Sequence, residues 1–71
     1  MYYDVVVLSG GFDPMHVGHL RMIQESAKMA QIVVVGVNSD EWLMRKKGYV
    51  FMPCEERLEM VQGTRGVSKA M

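Results

Sequence analysis

Val5-Val6-Val7-Leu8-Ser9-Gly10-Gly11-Phe12-Asp13-Pro14-Met15-His16-Val17-Gly18-His19 is the stretch on which the fold turns. It opens with a short β-branched run between Asp4 and the Ser9-Gly10-Gly11 break. Such a continuous apolar run reads as a strand buried on both faces. A loop rich in Gly, Asp and Pro follows. From Val17 to Ala30 the pattern becomes helical, with Leu20, Ile23, Ala27 and Ala30 on one side. Arg21, Gln24, Glu25 and Lys28 fall mostly on the other.

Outward from this stretch the alternation continues. Ile32-Val33-Val34-Val35-Gly36-Val37 reads as a second buried strand. Asn38-Ser39-Asp40 closes it with N-cap candidates for a short helix from Glu41 to about Arg45. Arg45-Lys46-Lys47-Gly48 breaks the pattern, and Tyr49-Val50-Phe51-Met52 runs extended. Pro53 suits the first turn of a further helix, with Glu55 and Glu56 at its positive end. Leu58, Met60 and Val61 supply its apolar side, Gly63 ends it, and a third strand begins near Gly66. Strand, helix, strand, helix with no repeat implies parallel pairing. The fold class is α/β, the N-terminal part of a Rossmann-like doubly wound parallel sheet. Residues 1–71 read as the front half of one domain, apparently truncated.

The loop after the first strand is where open α/β sheets bind ligands. Gly10 and Gly11 allow the backbone to approach a phosphate. The helix behind them aims free N–H groups at an anion. His16 and His19, three residues apart with Gly18 between, can stand on one face and donate hydrogen bonds to phosphate oxygens. The plain alternative is a histidine pair that only caps or packs. Asp13 is either a turn former or a site residue, and Asp40 reads as an N-cap rather than a ribose acid. Trp42, Tyr49 and Phe51 read as packing or interface residues. The methionines read as pliable core filler.

Gly10-Gly11-Phe12-Asp13 with His16-Val17-Gly18-His19 resembles the GxFDxxHxGH signature of the cytidylyltransferase-like nucleotidyltransferases. Val37 to Glu41, the Lys-rich turn and Pro53 to Arg57 also resemble that family's layout. The later part is similar to glycerol-phosphate cytidylyltransferase and to heptose-phosphate adenylyltransferase domains, and Pro14-Met15-His16 to nicotinate-nucleotide adenylyltransferases. The resemblance implies transfer of CMP or AMP from CTP or ATP to a phosphorylated alcohol or sugar, with pyrophosphate leaving and magnesium accompanying the triphosphate. It implies that His16 and His19 stabilise the transition state and that Lys46 or Lys47 neutralises the triphosphate. It also implies that Arg57 supports the phosphates or the acceptor, and that Gly10, Gly11, Phe12, Asp13 and Gly18 line the nucleotide site. The plain alternative is an Arg57 that only pairs with Glu56, Glu59 or solvent. Two departures stand out. Gly11 occupies a position where the family often has a hydroxyl residue, and the late Ser/Thr-rich signature is missing. The rival reading is a non-catalytic α/β fragment that binds nucleotide weakly or only self-associates.

Composition narrows the field. Eight basic and eight acidic side chains cancel, which argues against a general nucleic-acid binder. No apolar run approaches the ~20 residues of a membrane span. The start lacks a basic n-region, so a cytoplasmic location is expected. A single cysteine, Cys54, gives no internal disulfide, and no Cys/His spacing suits a metal site. A chain of this size buries only about 60% of the surface its unfolded state exposes. Self-association is therefore expected. Analytical ultracentrifugation should find a dimer or larger species, and a monomer with a cooperative thermal transition would contradict the expectation.

Overall fold

The computed structural model describes residues 3–71. Its elements run β1 (Tyr3–Gly10), α1 (Val17–Met29), β2 (Ala30–Val37), α2 (Asp40–Lys47), α3 (Cys54–Gln62) and β3 (Lys69–Ala70). The strands form one parallel sheet in the order β1-β2-β3. The architecture is α/β and Rossmann-like. β1 and β2 pair from Tyr3↔Ala30 to Gly10↔Val37, so their carboxyl ends finish side by side. Asn38 N–H donates to the Gly10 carbonyl at 2.9 Å and continues the register into the loops.

Alternation along the parallel strands sorts the valines. Val33 and Val35 are buried, and partly buried Leu8 and Val37 pack beside them. Ile23 and Ala27 of α1 and Leu58 and Val61 of α3 close over this same face. The opposite face carries Val5, Val7 and Ile32, which are 49%, 71% and 45% exposed. The expectation of strands buried on both faces therefore holds for one face of this chain. An unbroken apolar run is the pattern of a sheet covered on both sides, and α1 and α3 both cover the same side.

Local chemistry sets the boundaries. α1 runs straight into β2 at Ala30, which is extended at φ −141°, ψ 152°. Ser39 caps α2 by accepting from Trp42 N–H at 3.1 Å. α2 extends to Lys47, so the basic residues read as a turn form its last helical turn, where cations suit the carbonyl end. The run from Tyr49 to Met52 forms no strand. Gly66, at φ +103°, sits where an added Cβ would meet Ala27 Cβ at 3.2 Å, so a side chain there would be strained and crowded. Ser68 fastens the following segment: its Oγ accepts from Val33 N–H and its N–H donates to the Val33 carbonyl.

The two sheet faces should respond differently to substitution. Ile23→Ala, in the buried layer, is expected to cost about 2–5 kcal/mol in urea unfolding. Val7→Thr on the open face should stay within about 0.5 kcal/mol.

Candidate nucleotide-binding site

The site is assembled where β1 and β2 end. The Gly11–Phe12 turn leaves β1, and Phe12 is in the left-handed region at φ 54° while its ring is buried in the core. That conformation is costly for an aromatic residue and is held by the packing of its ring. Leu43 Cδ2 lies 3.0 Å from the position a Cβ would occupy on Gly11. α2 thus fills the place of the hydroxyl side chain expected there.

His16 is the N-cap of α1, and His19 is its third residue. Their side chains form a reciprocal capping box. His16 Nδ1 accepts from Gly18 N–H at 3.0 Å, and His19 Nδ1 accepts from His16 N–H at 3.0 Å. The rings stack with centroids 3.8 Å apart, and Phe12 meets His19 edge-on at 4.8 Å. A neutral imidazole has one accepting and one donating nitrogen. With Nδ1 accepting in both rings, the network assigns the hydrogen to Nε2 in both. Burial, with neighbouring His16 as the second cause, pushes His19 below its ordinary pKa, which keeps it neutral. Gly18 leaves room for this arrangement, since an added Cβ would lie 2.9 Å from His16 Cε1.

Asp13 faces away from open solvent, with its side chain 1% exposed. Its carboxylate accepts from Phe51 N–H at 2.7 Å and Met52 N–H at 2.6 Å. Lys47 Nζ pairs with Asp13 Oδ2 at 2.9 Å and donates to the Asp13 carbonyl at 2.8 Å. The Lys47 ammonium also stands 4.4 Å from the Tyr49 ring centroid. Burial pushes the Asp13 carboxyl up, but the two amides and Lys47 together outweigh it and hold the pKa below the usual value. Lys46 is exposed, with its ammonium 5.8 Å from the Trp42 ring centroid.

Arg57 is fully buried. Its Nε donates to the Met52 carbonyl at 2.8 Å, and Nη1 donates to the carbonyls of Gly11 at 2.8 Å and Asn38 at 2.6 Å. Nη2 donates to Asp40 Oδ1 at 2.6 Å. The acidic partner is Asp40, not the Glu56 or Glu59 considered from the sequence. Asp40 is the first residue of α2, and Ser39 takes the capping role. The structure therefore brings together Gly10, Gly11, Phe12, Gly18, His16 and His19, while Asp13, Lys47 and Arg57 make internal contacts behind them. Sequence reasoning missed the carbonyls of Gly11, Asn38 and Met52 as partners, because backbone acceptors leave no mark in a sequence. Trp42, Tyr49 and Phe51 are 38%, 57% and 66% exposed, so they are not core residues of this chain. Among the described residues, no group of three or more His, Cys, Asp or Glu side chains could hold a metal ion. No helix among them is long and apolar enough to cross a membrane.

The family model described as cytidylyltransferase-like matches residues 7–71. The chain is 35% identical over 66 residues to ethanolamine-phosphate cytidylyltransferase of Arabidopsis thaliana, covering 93% of this chain and 16% of that protein. It is 35% identical over 60 residues to phosphopantetheine adenylyltransferase of Methanothermobacter thermautotrophicus, covering 84% and 36% respectively. A solved lipopolysaccharide core biosynthesis protein from Thermoplasma volcanium superposes with a TM-score of 0.87 at 27% identity. That match covers 94% of this chain and 55% of the other. The chain belongs to the cytidylyltransferase-like family, and it spans well under two thirds of each of these proteins.

The Asp13 clamp carries a pH signature. A carboxyl with a depressed folded-state pKa stabilises the fold above its unfolded pKa, and this is lost as pH falls through the folded value. Asp13→Asn should lower stability at pH 7 and flatten its decline in acid, as read by thermal unfolding across pH 2–7. An acid profile parallel to that of the parent chain would contradict the clamp.

Proposed function

We propose that this member of the cytidylyltransferase-like family carries the phosphate-binding part of a nucleotidyltransferase site. The reaction moves CMP or AMP from CTP or ATP to a phosphorylated alcohol or sugar. The observation that carries the reading is the histidine capping box. It fixes two stacked imidazoles with both Nε2–H groups as donors at the end of β1, beside the N-terminus of α1.

An oxygen of the acceptor phosphate attacks the α-phosphorus, a new P–O bond forms, and the bond to the β-phosphate oxygen breaks. Pyrophosphate leaves with the electron pair. The Nε2–H groups of His16 and His19 donate to the non-bridging oxygens as charge builds on them. Because the backbone already holds both rings, little reorganisation accompanies the step. The positive end of the α1 dipole adds to the potential. Lys46, the exposed lysine, neutralises the outer phosphates, and Lys47 holds the loop through Asp13. Catalysis is positioning plus electrostatics, with no covalent enzyme intermediate.

Magnesium would arrive with the triphosphate, which supplies most of its oxygen ligands. Self-association and a cytoplasmic location belong to the same reading. A second reading is that residues 1–71 by themselves bind nucleotide without turning it over.

Calorimetry on the His16→Ala/His19→Ala variant should find CTP and ATP affinity reduced at least about tenfold, since each lost charge-assisted bond is worth ~1.5–3 kcal/mol. Circular dichroism verifies that the variant stays folded. Unchanged affinity would remove the basis of the proposal. Pyrophosphate release by the 71-residue chain should be slight, and robust turnover would rule out the second reading.

A further inference from the structure

Arg57 is a fully buried charged side chain, and it lies directly behind the loop that follows β1. Nη1 holds the Gly11 carbonyl at 2.8 Å. The Gly11–Phe12 peptide is trans, since the one cis bond among the described residues is Asp13–Pro14. In a trans peptide the C=O and the following N–H point in opposite directions. Arg57 therefore turns the Phe12 N–H away from itself. That N–H makes no hydrogen bond among the described residues. It precedes the two histidines and belongs to the residue whose ring packs on His19.

The same guanidinium holds three other segments. It fixes Asn38 at the end of β2, Asp40 at the start of α2 and Met52 before α3. Met52 is gripped twice, its carbonyl by Arg57 and its N–H by Asp13. Four of the five guanidinium N–H groups are thus engaged: Nε–H once, Nη1 twice and Nη2 once. A side chain so committed and fully buried has no reach to a bound phosphate.

We propose that Arg57 is a positioning residue: from behind the loop it aims the Phe12 N–H at the triphosphate without touching the ligand. This rests on the phosphate-binding reading above and replaces direct phosphate contact by Arg57 with an indirect role. Lysine keeps the charge, but its single ammonium cannot span three carbonyls and a carboxylate in one plane.

The test is a titration of the isotope-labelled chain with inorganic triphosphate, followed by NMR. The Phe12 amide is expected to shift strongly, while the Arg57 Nε and Nη signals stay in place. In Arg57→Lys, measured at a temperature where circular dichroism finds it folded, affinity is expected to fall about tenfold and the Phe12 shift to shrink. Arg57 side-chain signals that move as much as the Phe12 amide would overturn the proposal in favour of direct contact. An Arg57→Lys chain of lower melting temperature but undiminished affinity would overturn it in favour of a purely structural role. If Arg57→Lys does not fold, the Phe12 and Arg57 signals of the parent chain still decide between aiming and contact. Triphosphate binding without a Phe12 shift sinks this inference alone, whereas no binding at all sinks the phosphate-binding reading with it.

Discussion

A guanidinium can be buried only where its donors are met, and meeting those of Arg57 determines how the loops of this protein sit. Three carbonyls and one carboxylate converge on it from the end of β1, the end of β2, the start of α2 and Met52, two residues before α3. A buried donor left without its partner costs about 1–3 kcal/mol, more when the donor is charged, so each segment is held in place by the penalty of leaving. Asp13 applies a second constraint of opposite sign from the other side of Met52. The connection between α2 and α3 forms no strand and only short turns, yet it is fixed by these two charges.

The histidines cap α1, and the proposed function gives them a second duty. As N-cap and third helical residue they satisfy backbone N–H groups that would otherwise be orphaned. Doing so uses Nδ1 and leaves Nε2 outward. In the proposed function, helix capping and ligand binding are served by opposite nitrogens of the same rings, so the two do not compete. Gly18 is the steric condition for both, because a Cβ there would push into His16. Asp13 and Lys47, read from the sequence as residues of the nucleotide site, are paired to each other behind it.

The sheet presents a contrast between its faces. One face is sealed by Ile23, Ala27, Leu58 and Val61, while the other leaves Val5, Val7 and Ile32 open. Burial of apolar surface scales with the area removed from water, so the open face contributes little to the stability of these residues alone. The solved Thermoplasma volcanium relative, of which this chain covers 55%, contains the same architecture within a longer polypeptide.

The sequence by itself determined the element order, the parallel α/β class and the family, through the Gly10 to His19 motif. β-branched runs, glycine breaks and helical periodicity are local signals, and the Gly10 to His19 spacing is compact enough to read directly. It also left both capping and binding open for His16 and His19, and the capping box accounts for the first. Only the tertiary structure decided which face of the sheet is covered, because apolar strands look alike whether one side or two are packed. Only the tertiary structure paired Asp40 with Arg57, 17 residues apart, and Asp13 with Lys47, 34 apart. It chose carbonyls of Gly11, Asn38 and Met52 as the remaining partners of Arg57. Every residue but proline has both a backbone donor and an acceptor, so nothing in a side-chain string says which carbonyl will meet a buried charge. That meeting is set by the register of β1 on β2 and the docking of α3.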